Sequence, residues 1–108
     1  MRIALLGLLA CTTGAALASG DDSAQLPGGR ELFVAQCGGC HLEGGFGTRV
    51  LARRVPVGQA MLERREELPR ELVRLAVRHG VGVMPQIRRT ELSDRDLDRI
   101  ARYLEGGE

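Results

Sequence analysis

The sequence predicts a small all-α domain of three to five helices. Three observations lead to it. Apolar residues recur at helical spacing, most clearly Leu97, Ile100, Ala101 and Leu104, at i, i+3, i+4 and i+7. No βαβ alternation runs through the chain. The first helical stretch closes on five residues, Cys37-Gly38-Gly39-Cys40-His41, around which the remaining elements can be arranged.

The 108 residues leave room for one domain. Its first segment is set apart. Met1-Arg2 precedes an apolar run, Ile3 to Ala10, and a small-x-small end at Ala16-Leu17-Ala18. That order describes a secretory signal peptide over residues 1–18. The run falls short of the ~20 residues that span a bilayer. Cys11 lies within this segment and needs no partner. Leu8-Leu9-Ala10-Cys11 faintly resembles a lipoprotein box, and lipidation there would tether the chain to a membrane. Residues 19–28, polar and rich in Gly, Asp and Ser, read as a flexible lead. The domain then occupies 29–105.

The elements follow in order. Residues 29–40 form a helix, with Leu32, Phe33, Gln36 and Cys37 at helical spacing; Phe33 is read as core. Residues 42–50 read as a loop, because Gly44-Gly45-Phe46-Gly47 opposes a regular element. Val55-Pro56-Val57-Gly58 turns the chain. A short helix is expected over 59–67, with Met61 and Leu62 inward and the charged Arg64 to Glu67 run facing water. Pro69 suits the first turn of the next helix. There Leu72, Leu75, Ala76 and His79 form one stripe, and Gly80 ends it. Val81 to Pro85 is a loop framed by glycines and a proline. Ser93 caps the last helix, with Asp94 and Asp96 in its first turn. Gly106-Gly107 ends it.

C-x-x-C-H is the attachment pattern of a c-type haem. Two thiols three residues apart share one helical face, so both can bond to one porphyrin edge. The imidazole that follows can take an axial position on the iron. Gly38 and Gly39 let the backbone press close to the ring. A zinc ribbon would want a second Cys/His pair, but only His79 follows. Haem would also supply bulk that the chain lacks. About 90 residues bury apolar surface only marginally, and these hold two Phe, one Tyr and no Trp. Export agrees, because c-type haem is attached outside the bacterial cytoplasm.

Met84 is the candidate second axial ligand. A thioether on a Gly- and Pro-framed loop can reach the open face of the iron and raise its potential. Met61 and His79 are the rivals, each placed in a helix or at its end. Arg49, Arg53 and Arg54 can pair a haem propionate in a two-pronged way, or remain solvated surface charge. All fifteen basic residues are Arg, and the charge is balanced, with no strongly basic face of the kind nucleic acids favour.

Taken together, Gly29-x-x-x-Phe33-x-x-x-Cys37-x-x-Cys40-His41, then Gly47 and Leu51, then Val77-Arg78-x-Gly80-x-x-x-Met84-Pro85 and Leu97-x-x-Ile100-x-x-Tyr103-Leu104 resemble a class I c-type cytochrome. The resemblance covers essentially the whole of 29–105. It implies the class I cytochrome c fold around one covalent haem c. It implies that Gly29 and Phe33 meet Ile100 and Tyr103 where the first and last helices cross. Cys37 and Cys40 would carry the thioethers, and His41 and Met84 the iron. The family often has Gly-Pro after the haem motif, its proline carbonyl supporting the histidine; here Thr48 follows Gly47. The Val77 to Pro85 stretch also resembles cytochrome subunits of periplasmic dehydrogenases, such as that of the flavocytochrome p-cresol methylhydroxylase.

The function expected is a periplasmic single-electron carrier. Its partners would be a dehydrogenase as donor and an oxidase or other cytochrome as acceptor. Arg88-Arg89 would steer an acidic partner or simply be solvated. Membrane contact would come only through a partner unless Cys11 is lipidated. Two other classes stay open: a haem protein with a free axial site, binding a gas or acting as a weak peroxidase, and a metal or thiol protein without haem.

Overall fold

The computed structural model describes residues 26–107. The signal segment 1–18, Cys11 and most of the lead at 19–28 lie outside the described residues. Within them the chain forms α1 (Gly29–His41), α2 (Phe46–Leu51), α3 (Arg70–His79) and α4 (Asp94–Leu104), with a 3₁₀ turn at Leu62–Arg64. No strand occurs among the described residues; one isolated pair, Val81 with Met84, bridges a turn. The fold is all-α, as the class I cytochrome c fold requires.

Two elements differ from the sequence expectation. The segment 42–50 contains α2, because Gly44 and Gly45 form its entry turn and N-cap and only Gly47 falls inside the helix. The helix expected over 59–67 is reduced to the 3₁₀ turn. Arg64 to Glu67 carry four successive charges, and only Leu62 of this stretch packs against the core, so little apolar burial supports a longer helix.

α1 crosses α4 at a contact that admits no side chain on α1. A Cβ built on Gly29 would lie 2.5 Å from the Arg99 carbonyl oxygen and 2.7 Å from Tyr103 Cβ. One turn on, Phe33 is fully buried, as is Ile100 opposite. The Phe33 and Tyr103 rings sit 6.1 Å apart at 46°, within the range of favourable aromatic pairs. The Tyr103 hydroxyl donates to Glu63 Oε1 at 2.5 Å, and Arg30 lies 3.9 Å from the same oxygen. The middle segment is thereby fastened over the crossing.

α3 lies antiparallel to α4. Val73 and Val77 are its buried residues, facing the side of α4 that buries Leu97, Ala101 and Leu104. Arginines one turn apart on α3 extend the contact along its edge: Arg70 to Glu105 at 2.7 Å, Arg74 to Asp98, and Arg78 to Asp94 at 2.7 Å. The apolar stripe expected at Leu72, Leu75, Ala76 and His79 is therefore not the face that meets α4. Leu72 and Leu75 stay 47% and 57% exposed.

Ser93 Oγ accepts from the Asp96 amide at 3.1 Å and so caps α4. Gly106, at φ +99°, closes the far end, with its amide on the Tyr103 carbonyl at 3.1 Å.

Gly29→Ala should cost about 1–3 kcal/mol, as overpacking does, read as a lower denaturant midpoint of the haem-loaded protein. The Arg70 guanidinium holds the Glu105 carboxyl below its ordinary range, first by hydrogen bonding. A depressed folded-state value gives stability that is present above the unfolded value, about 4.3 for Glu, and lost as pH falls through the folded one. Glu105→Gln should therefore lower the melting temperature slightly at neutral pH and leave a smaller further loss on acidification than in the parent.

Candidate haem site

The pentad forms the last turn of α1. Leu42 caps the helix, its amide donating to the Gly38 carbonyl at 3.0 Å. Cys37 and Cys40 carry free thiols; Cys37 is half-buried and Cys40 exposed. Burial, with the Cys40 thiol beside it, pushes Cys37 up to about 11. Burial thus favours its protonated thiol. The two glycines between them differ. Gly38 is buried, and a Cβ there would press on Leu42 Cδ1 at 3.0 Å, whereas one on Gly39 would meet nothing within 4 Å. Only Gly39 leaves the backbone open to a bound ring.

His41 sits behind this face. A Cβ on Gly47 would fall 3.1 Å from its Cε1 and 3.3 Å from its Nδ1, so the absence of a side chain at 47 is what seats the imidazole. Nδ1 is buried and has no hydrogen-bond partner. Burial lowers the ring's pKa, which favours the neutral imidazole that a metal needs. The Thr48 carbonyl, which follows Gly47 where the family often has proline, takes the Ala52 amide at 2.9 Å as α2 closes. The Thr48 hydroxyl instead donates to the Leu42 carbonyl at 2.9 Å and, more weakly, to that of Cys40 at 3.4 Å. Threonine thus ties α2 to the end of the pentad through its side chain.

The second site lies beyond α3. Gly80 leaves the helix at φ +73°, where a Cβ would stand 2.7 Å from the Met84 carbonyl oxygen. Val81 and Met84 exchange backbone bonds of 3.0 and 2.9 Å. Gly82 between them has φ +57° and Val83 does not share the positive sign, the pattern of a II′ turn. Met84 is half-buried and packs against the same core cluster as Cys37. The rivals are placed differently: His79 is exposed at the end of α3, and Met61 enters the 3₁₀ turn.

Of the propionate candidates, Arg49 donates to the Gly44 carbonyl in its own loop. Arg53 and Arg54 are exposed. Arg54 Nη1 comes within 3.7 Å of the place a Cβ on Gly82 would occupy, so it reaches the methionine hairpin. Arg89 is paired to Asp94 at 2.7 Å, which leaves Arg88 as the freer charge of that pair.

These residues fit a haem. A half-buried and an exposed thiol share one helical face, and an imidazole next to them has an orphaned buried nitrogen. Phe46, Leu72, Leu75, Val81 and Val83 are 47–64% exposed on the elements that flank the pentad and Met84. A bound porphyrin would take apolar side chains of this kind out of water. Among the described residues no cluster of three or more His, Cys, Asp or Glu could hold a bare metal ion.

Comparison with known proteins agrees. A family model described as cytochrome C oxidase, cbb3-type, subunit III matches residues 24–104. A chain in a crystal structure of p-cresol methylhydroxylase with substrate bound is 28% identical, over 78% of this chain and 97% of that one, with a TM-score of 0.53. No curated protein matches.

Gly47→Ala should destabilise the haem-loaded protein by about 1–3 kcal/mol through overpacking on His41. Thr48→Val should cost about 1 kcal/mol through its lost hydroxyl bonds. Denaturant titration of both variants against the parent checks the order.

Proposed function

The chain belongs to the cytochrome c family, and on that premise we propose that it is an exported monohaem c-type cytochrome that carries single electrons in the periplasm. Haem binding and electron transfer follow from the family. The single covalent haem c, its ligands, the location and the partners are our reading.

The observation that carries it is the arrangement of the pentad and the Met84 hairpin. Both pack on one core cluster, and open apolar side chains flank both. Cys37 and Cys40 would hold the haem by thioethers, with His41 and Met84 as axial ligands. The group supplies a one-electron couple when bound. The protein residues set its surroundings. Gly47 leaves room for the imidazole, and burial favours its neutral form. The hairpin presents the thioether. Were His41 and Met84 both to hold the iron, no substrate need reach the metal, and transfer would depend on how closely a partner approaches the group beside Gly39 and Cys40.

The likeness to a chain of p-cresol methylhydroxylase, 28% identical, supports a dehydrogenase as donor, with this chain as its electron-accepting subunit or partner. An oxidase or another cytochrome would be the acceptor. Residues 1–18 would direct export and be removed.

An absorption spectrum of the exported protein, oxidised and reduced, tests the reading. Bands of c-type haem are expected, with the weak far-red band of iron–methionine ligation in the oxidised state. Met84→Ala should abolish that band and keep the haem. A parent protein with haem but without the band would instead have a free or otherwise ligated iron, and gas binding or peroxidase activity would take precedence.

A further inference from the structure

We propose that Arg78 is a positioning residue for Met84, fixing the backbone that leaves the methionine hairpin and so setting how readily an outside ligand displaces the thioether. The proposal rests on the reading of Met84 as an axial ligand.

The loop from Gly80 to Ser93 has no regular element beyond the Val81–Met84 pair, so something else must hold its exit. Ile87, three residues after Met84, is gripped on both backbone groups by adjacent residues of α3. Its amide donates to the Val77 carbonyl at 2.7 Å. Its carbonyl accepts from Arg78 Nη1 at 2.9 Å. The same guanidinium reaches the far end of the loop, with Nη2 donating to the Leu92 carbonyl at 2.9 Å. It then meets the first residue of α4, where Nη2 and Nε lie 2.7 and 3.2 Å from Asp94 Oδ1. One planar fork thus joins α3, both ends of the Ile87–Leu92 span and the start of α4.

The Arg78 side chain is only 14% exposed, so its bonds to the two carbonyls are partly shielded from water, whereas its Asp94 side faces solvent. Two go to backbone carbonyls that no mutation can remove. Lysine could not reproduce them, because an ammonium lacks the flat, spaced donors of a guanidinium. Between Met84 and Ile87 stand only Pro85, whose φ is fixed, and Gln86. Slack at Ile87 would therefore be passed to the hairpin.

The test is a titration of the oxidised, haem-loaded protein with imidazole, following loss of the far-red methionine band, on the parent, Arg78→Lys, Asp94→Ala, Tyr103→Phe and Met84→Ala. Loss of a charge-assisted bond or two should raise imidazole affinity about tenfold in Arg78→Lys. Asp94→Ala keeps both carbonyl bonds and should give about threefold. Tyr103→Phe removes the Glu63 bond at the crossing and is the stability control; it should leave imidazole affinity unchanged even where it lowers the melting temperature.

Parent-like affinity in Arg78→Lys overturns the proposal. So does a rise in Tyr103→Phe that matches Arg78→Lys per degree of melting temperature lost, because the effect would then be general loosening. A parent that lacks the methionine band and binds imidazole as tightly as Met84→Ala identifies the other failure: the ligation reading is wrong, and the proposal falls with it.

Discussion

Everything in this fold hangs on the approach of α1 to α4 at Gly29. The Arg99 carbonyl and Tyr103 Cβ occupy the space a side chain at 29 would need. That contact sets Phe33 under Ile100, and the two form the fully buried centre of the core. α1 then carries the pentad outward from the crossing, while α4 backs α3, and α3 holds the hairpin. The two halves of the site are thus separate branches from one joint. Both pack on one core cluster, and a bound group spanning them would complete a core short of aromatic residues.

The arginine-only basic set takes on a structural meaning along α3. Arg70, Arg74 and Arg78 recur every fourth residue and meet Glu105, Asp98 and Asp94 in antiparallel order. The Arg70 pair is exposed and the Arg74 pair half-covered, and pairs this open to water contribute little individually. Arg78 differs because it is mostly covered and is shared between a carboxylate and two carbonyls.

Much of this was legible in the sequence where one residue type has one use. The pentad, Phe33, the Ser93 cap and the α4 stripe all stand where spacing places them. Gly29 against Tyr103 followed from the family resemblance and not from periodicity. What escaped sequence reasoning depended on which of two faces an element uses. On α3 the stripe at Leu72 and Leu75 is genuine, but Val73 and Val77 meet α4, and periodicity cannot say which stripe finds the protein and which finds a cofactor. α2 was hidden because glycines at 44, 45 and 47 weigh against a helix, although only Gly47 lies inside it. Whether the Thr48 carbonyl serves His41 was open in the sequence; in the fold that carbonyl takes a helix bond and the hydroxyl ties α2 to the end of the pentad. Arg78 was visible within Val77-Arg78-x-Gly80, but a lone arginine gives no sign of its acceptors when two of them are backbone carbonyls of a distant loop.

The hairpin has one more consequence. Val81 and Met84 satisfy each other's backbone groups, and Gly80 and Gly82 supply its unusual angles. None of this depends on what side chain stands at 84. If Met84 is the iron ligand proposed above, the position is a socket: another donor could be fitted there by a single codon change without rebuilding the loop. A lineage could in this way move its working voltage over evolutionary time while leaving fold, thiol attachment and partner-facing surface as they were.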